Sequence, residues 1–185
     1  MRKFYPVRAV CLTWTLALGF SQLGWATPAQ VLIIRHAEKP AQGNELSPKG
    51  QSRAQSLIGF FKPLAPVAIY AASPDKPGGS IRSIQTVEPT ASALGLQLQT
   101  QFTASQVQEL ASVVLNSPEL DGKVVLICWA HSQIPEIAAA LGAEQAPSSW
   151  NGSVFDRVWR LDFKQGQVMS FLDLPQHVLP GDSKN

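Results

Sequence analysis

The sequence predicts a three-layer α/β domain in which helices flank a mostly parallel central sheet. Short apolar runs alternate with stretches whose apolar residues recur at helical spacing, the pattern of parallel strands joined by crossover helices. Residues 31–34, 68–72 and 124–129 are apolar almost throughout, as central strands covered on both faces must be. A chain of 185 residues that is 45% hydrophobic can fill one good core, so residues 27–185 are expected to form a single domain.

The first 26 residues differ in kind. Met1, Arg2, Lys3 and Arg8 make a basic start, residues 9–20 are mostly apolar, and Gly24 and Ala26 are small residues at the positions that direct cleavage. This is the anatomy of a secretory signal peptide, with cleavage expected after Ala26. The apolar stretch is well short of the roughly 20 residues that span a bilayer, so no stable membrane insertion is expected after cleavage.

Three of the 15 basic residues and none of the 13 acidic ones fall in that segment, which leaves 12 basic against 13 acidic residues, a net charge of −1. No basic run remains to suggest nucleic acid as a partner. Cys11 lies in the segment and precedes its apolar run, so it is a poor lipoprotein site. Cys128 is then alone and an intrachain disulfide is not expected. Cys128 sits within an apolar run and reads as a core residue, as do Trp150 and Trp159.

After the first strand, Ser47 can cap a helix with Pro48 at its first position, and Ala54, Leu57, Ile58 and Phe61 continue it at helical spacing. A second helix is expected from near Arg82 to Leu94, with Pro89 kinking it or delaying its start. Val107, Leu110, Ala111 and Val114 mark a third. Ile134, Ile137, Ala138 and Leu141 mark a fourth, stopped by Gly142. Residues 154–163 and 168–174, separated by Lys164-Gln165-Gly166-Gln167, read as two strands joined by a turn at the edge of the same sheet. From Pro175 onward, Pro, Gly and charge with little apolar content predict a poorly ordered tail.

The polar residues fall where chemistry is expected. Arg35-His36 follows the first strand, Ser73 the second, and His131 the third, with Arg82 a short loop away. In open α/β sheets ligands bind beyond the carboxyl ends of the strands, so these residues should surround one crevice. Ser132 is positioned to cap the following helix, whose free N–H groups would face a bound anion. Two arginines suit a phosphoryl group, because their planar forks match its oxygens and stabilise charge during transfer. A neutral imidazole can attack phosphorus while a second one donates a hydrogen bond to the oxygens.

Together the motifs resemble the histidine phosphatase superfamily. Arg35-His36-Ala37-Glu38 resembles its Arg-His-Gly/Ala-Glu motif, and Leu46-Ser47-Pro48-Lys49-Gly50-Gln51-Ser52-Arg53-Ala54 resembles the helix start that follows it. Ser73-Pro74 with Arg82-Ser83-Ile84-Gln85-Thr86 resembles the second arginine motif, and Ala130-His131-Ser132 the motif of the second histidine. The resemblance implies a phosphoglycerate mutase-like fold, His36 as phosphohistidine nucleophile, Arg35, Arg82 and His131 as the phosphate pocket, and neither metal nor organic cofactor. It implies Glu109 as proton donor by position, with Asp75 and Glu136 as further candidates.

Three features depart from the family pattern. Residues 75–81 make a longer, Gly-rich loop that either shapes substrate access or shifts Arg82, Ala130 stands for the usual Gly or Glu, and His131-Ser132 replaces the His-Asp of the acid phosphatase branch. The function implied is a phosphomonoester hydrolase outside the cytoplasm, acting on a phosphorylated small molecule such as a phosphosugar, with specificity set by residues 40–46, 74–81 and 143–153. The alternative is a catalytically weak protein that binds a phosphate ligand on the same fold.

Overall fold

The computed structural model describes Met1 and residues 27–183; the rest of the predicted signal segment, with its cleavage point after Ala26, lies outside the described residues. The elements run β1 (Gln30–Arg35), α1 (Pro48–Phe61), β2 (Ala68–Ala71), α2 (Arg82–Leu94), β3 (Leu98–Gln99), α3 (Val107–Asn116), β4 (Val124–Trp129), α4 (Ile134–Ala140), β5 (Arg157–Lys164) and β6 (Gln167–Pro175). Among the described residues the strands form one sheet in the order β3-β2-β4-β1-β5-β6. The first four in that order are parallel, and the β5–β6 hairpin joins β1 antiparallel at the edge, as expected.

Alternation along each strand divides the core in two. Val31, Ile33, Val125 and Ile127 pack on one face against Leu110 and Val114 of α3 and Ile134 and Ile137 of α4. Leu32, Ile34, Leu126 and Cys128 pack on the other against Leu57 and Phe61 of α1 and Val87 of α2. These central residues are essentially sealed from solvent, which is why the runs that encode them show no polar alternation. Trp150 and Trp159 stack together at 5.1 Å between ring centroids and are buried, as is Cys128. No helix among the described residues is long and apolar enough to cross a membrane.

Helix α1 starts as its sequence dictates: Ser47 Oγ accepts from Gly50 N at 3.1 Å and Pro48 occupies the first turn. Gly50 is required there, because a Cβ would overlap the carbonyl oxygen of Glu38. Helix α2 begins at Arg82 with Pro89 inside it, so the proline does not delay its start. The two-residue β3 carries no readable periodicity and was not expected; it pairs Leu98 with Ile69 and Gln99 with Tyr70.

The tail departs from the expected disorder. Gln176 is buried, Arg53 Nη1 donates to Gln176 Oε1, and the same guanidinium grips both carboxylate oxygens of Asp182. Asp182 Oδ2 in turn accepts from the backbone N–H of Val178 and Leu179. The cause is Arg53, which α1 buries and which therefore needs acceptors that the weakly apolar tail supplies.

Candidate active site

Strand β4 lies between β1 and β2, so their carboxyl ends are neighbours and the chain segments leaving them stay paired. His36 N donates to Trp129 O at 3.1 Å and Ala72 N to Cys128 O at 3.2 Å. A cavity of about 400 Å³ opens beyond these ends, and Arg35, His36, Ser73, Arg82, His131 and Ser132 all line it. Arg35, Lys39, Lys76 and Arg82 bring four cationic side chains to its wall against a single carboxylate, that of Asp75. Among the described residues, no group of three or more His, Cys, Asp or Glu side chains is placed to hold a metal ion.

Arg35 ends β1 on the α3–α4 side of the sheet and is almost fully buried. Its Nη1 donates to Gly152 O at 2.6 Å and Val154 O at 3.2 Å, and its guanidinium lies over the Phe155 ring, 3.7 Å from the centroid. Its Nε is buried and has no hydrogen-bond partner among the described residues. A buried donor of this kind calls for an acceptor, and the Nε edge of a guanidinium fits two oxygens of an oxyanion. Burial lowers the pKa of Arg35 to about 10, with Glu38 opposing and Arg82 adding to the fall, so the charge persists at neutral pH.

His36 continues from β1 and lies 2.7 Å through Nδ1 from Ala37 O. A carbonyl oxygen only accepts, so Nδ1 carries the proton and Nε2 keeps the lone pair. Burial lowers the pKa of His36 to about 4, opposed by the Ala37 hydrogen bond and reinforced by the charges of Arg35 and Arg82. The imidazole is therefore neutral at neutral pH, as a nucleophile must be. Thr86 fixes the turn after it, accepting from Ala37 N at 2.8 Å and donating to Arg82 O at 2.7 Å.

Arg82 lines the cavity in spite of the long loop before it. Its Nε donates to Glu45 O at 3.0 Å, Nη1 to Ser80 Oγ at 3.2 Å, and Nη2 to Gly43 O. Each terminal nitrogen keeps one further N–H. The loop is docked on the same segment: Ile81 N donates to Asn44 O at 3.1 Å and Asn44 Nδ2 to Gly78 O. The extra residues are thus anchored across residues 43–45 and do not carry Arg82 away.

His131 follows β4 through Ala130, and its pKa is lowered first by burial and then by the charges of Arg35 and Lys39. Ser132 lines the cavity without capping the next helix. Its Oγ donates to Gln133 Oε1 at 2.8 Å, and α4 starts only at Ile134 because Gln133 N closes a turn onto Ala130 O first. Ser73 turns its hydroxyl to Phe102 O at 2.9 Å, which ties the end of β2 to the segment before α3.

Glu109 is not brought to the cavity. It occupies the first turn of α3, exposed, because Val107, Leu110 and Ala111 claim the face turned to the core. Glu136 is exposed on α4 and also lies outside the lining, whereas Asp75 belongs to it. Residues 152–155 form a supporting wall that sequence reasoning missed. Two carbonyls and one aromatic ring hold Arg35 there, and carbonyls leave no mark in a sequence.

The sequence matches no protein-family model and no curated protein. Solved structures do match. The protein histidine phosphatase SixA in complex with tungstate is 15% identical, with 80% of this chain and 97% of that chain covered at a TM-score of 0.61. Phosphoserine phosphatase from Entamoeba histolytica with 3-phosphoglyceric acid is 16% identical, covering 81% and 99% at 0.54. Mycobacterial glucosyl-3-phosphoglycerate phosphatase is 14% identical, covering 80% and 96% at 0.53. At these identities the likeness shows a shared fold, the one that the histidine phosphatase motifs imply.

Proposed function

We propose that the chain is a phosphomonoester hydrolase that transfers the phosphoryl group of its substrate to Nε2 of His36 and then to water. The observation that carries this reading is the pairing of a buried, partnerless Arg35 Nε with a neutral imidazole on the next residue. Arg35 and the remaining N–H groups of Arg82 hold the phosphoryl oxygens, His131 donates to one of them, and His36 attacks in line. A metal has no step to perform, since the arginines supply the positive charge that transfer requires.

The cavity volume suits a small phosphorylated molecule, and Lys39 and Lys76 on its wall favour an anionic one. A phosphosugar is the substrate class we favour, in keeping with the fold shared with glucosyl-3-phosphoglycerate phosphatase. The basic start, short apolar run and small residues at Gly24 and Ala26 support action outside the cytoplasm after export.

Protein quenched during turnover of labelled substrate should carry acid-labile, base-stable phosphate on His36, the stability of a phosphoramidate. His36→Ala should abolish turnover yet still bind phosphate or vanadate. Near-normal hydrolysis by His36→Ala would overturn the mechanism.

A further inference from the structure

We propose that Asp75, at the start of the Gly-rich loop after β2, is the residue that protonates the leaving oxygen and afterwards deprotonates the attacking water. This rests on the phosphohistidine reading above and adds to it the acid–base group that such a mechanism needs.

An alkyl phosphate expels an alkoxide, a leaving group poor enough that its departure requires a proton from a group in the cavity. Asp75 is the one carboxylate among the residues lining that cavity. His131 is the other imidazole beside His36 there, and burial with the charges of Arg35 and Lys39 lowers its pKa, which favours its neutral form. A neutral imidazole bears one N–H, which is engaged when it holds a phosphoryl oxygen, and giving that proton away would leave an imidazolate. A carboxylic acid has no such difficulty.

Position supports the assignment. Asp75 lies two residues beyond Ser73, whose backbone pairs with Thr103 as the sheet ends, so its Cα is fixed relative to the strands that carry His36 and His131. Its Oδ1 accepts from Ser105 Oγ at 2.9 Å and from Ser105 N at 3.3 Å, which orients an otherwise exposed carboxylate. The longer loop that follows is pinned to residues 43–45, so the arrangement that brings Asp75 to the cavity wall is held at both ends. The hydrogen bonds from Ser105 and Thr103 hold the Asp75 carboxyl below its ordinary range. An arriving phosphoryl dianion acts in the opposite sense, since a like charge disfavours ionisation. A substrate monoanion, present below a second phosphate pKa of about 6, can also bring the proton with it.

The steps balance. In the first, the bond from His36 Nε2 to phosphorus forms, the bond from phosphorus to the ester oxygen breaks, and that oxygen takes the electron pair and the Asp75 proton. In the second, water attacks phosphorus, the P–N pair returns to Nε2, and the water proton goes to the Asp75 carboxylate. The acid is restored once per turnover.

The test is Asp75→Asn in the full chain, an isosteric change at an exposed position that keeps an oxygen for Ser105. Phosphorylation of His36 is followed in single turnover with an alkyl phosphate, glycerol phosphate, and an aryl one, nitrophenyl phosphate. Transfer from the alkyl ester should slow by about 10²–10⁴-fold, while transfer from the aryl ester, whose leaving group needs no proton, should change by less than about threefold. The phosphorylated variant should also accumulate with the aryl ester, because water attack has lost its base. Equal slowing with both esters, or an alkyl rate like that of the wild type, would overturn the role of Asp75 while leaving the phosphohistidine reading intact. Failure of the wild type to phosphorylate His36 with either ester would overturn both.

Discussion

The guanidinium of Arg35 lies over the ring of Phe155, its Cζ 3.7 Å from the ring centroid. The same ring stands 6.1 Å from the imidazole of His36, so one side chain backs both the proposed anion holder and the proposed nucleophile. A desolvated cation–π contact contributes up to about 2 kcal/mol. Phe155→Leu keeps the bulk and loses the π face, so phosphate or vanadate binding measured by calorimetry should weaken by about tenfold while Phe155→Tyr stays near the wild type. Unchanged affinity in the Leu variant would show that the ring serves only as packing.

The low pKa of His36 makes a pH prediction with a definite sign. Burial and the neighbouring charges hold it at about 4, against about 6.5 in an unfolded chain. Between these values the unfolded chain binds the extra proton and the folded one does not, so stability falls as pH drops from about 6.5 towards 4. Above that window both forms are neutral and the effect vanishes. NMR titration of the free protein should find His36 titrating near pH 4, and Arg82→Ala should raise that value by removing one of the charges that depress it. A midpoint near 6.5 in the wild type would contradict the buried, neutral nucleophile.

All four helices and every strand but the two-residue β3 were legible because apolar spacing reports burial directly, and the strand ends located Arg35, His36 and His131 for the same reason. What escaped notice lacks such a signal. Gly152 and Val154 hold Arg35 through carbonyls, which any residue could supply. Ser132 has the identity of a cap, but the turn from Ala130 to Gln133 delays α4 beyond its reach. Glu109 had the right sequence position, yet helical phase decides which way a residue faces, and its neighbours Val107 and Leu110 turn it outward. The tail looked disordered because composition does not show that a buried arginine on a distant helix needs its carboxylate.

Catalysis should not depend on a metal. Prolonged chelation followed by assay in metal-free buffer should leave kcat/KM within about twofold, because the charge on the cavity wall comes from covalently held arginines and lysines. Raising the salt concentration should instead lower kcat/KM, since exposed Lys39 and Lys76 act on an anionic substrate through a screened field. Loss of activity on chelation that added metal restores would refute the metal-free mechanism.

Export is tested by the N-terminus. Protein recovered from the extracytoplasmic fraction should begin at Thr27, directly before the point where Ala29 N pairs with Lys123 O at 2.8 Å to lead the chain into β1. Retention of Met1 on active, membrane-embedded protein would contradict cleavage.

The side chain of Arg53 is 2% exposed, and its partners come from three parts of the chain: Glu38 after β1, Gln176 after β6, and Asp182 in the tail. Burial tends to raise the Asp182 pKa, but the hydrogen bonds from Arg53 and from the Leu179 and Val178 amides prevail and hold it at about 2. Removing one partner of a buried ion pair leaves a charge without its counterion, at a cost of about 3–5 kcal/mol. Glu38 and Gln176 remain for Arg53, so Asp182→Ala should fall at the lower end, near 3 kcal/mol, and lower Tm by roughly 6–12 °C. The pH dependence follows from the sign of the shift. A carboxylate with a depressed folded pKa stabilises above its unfolded value of about 3.9, and the contribution is lost as pH falls towards 2. The gap in Tm between wild type and variant should therefore be full above about pH 5 and close progressively below pH 4. Hydrogen exchange at Val178 and Leu179 should quicken in the variant, because their N–H groups lose the Asp182 acceptor. A variant as stable as the wild type at neutral pH, with both amides still protected, would show that the tail is held by something other than this carboxylate.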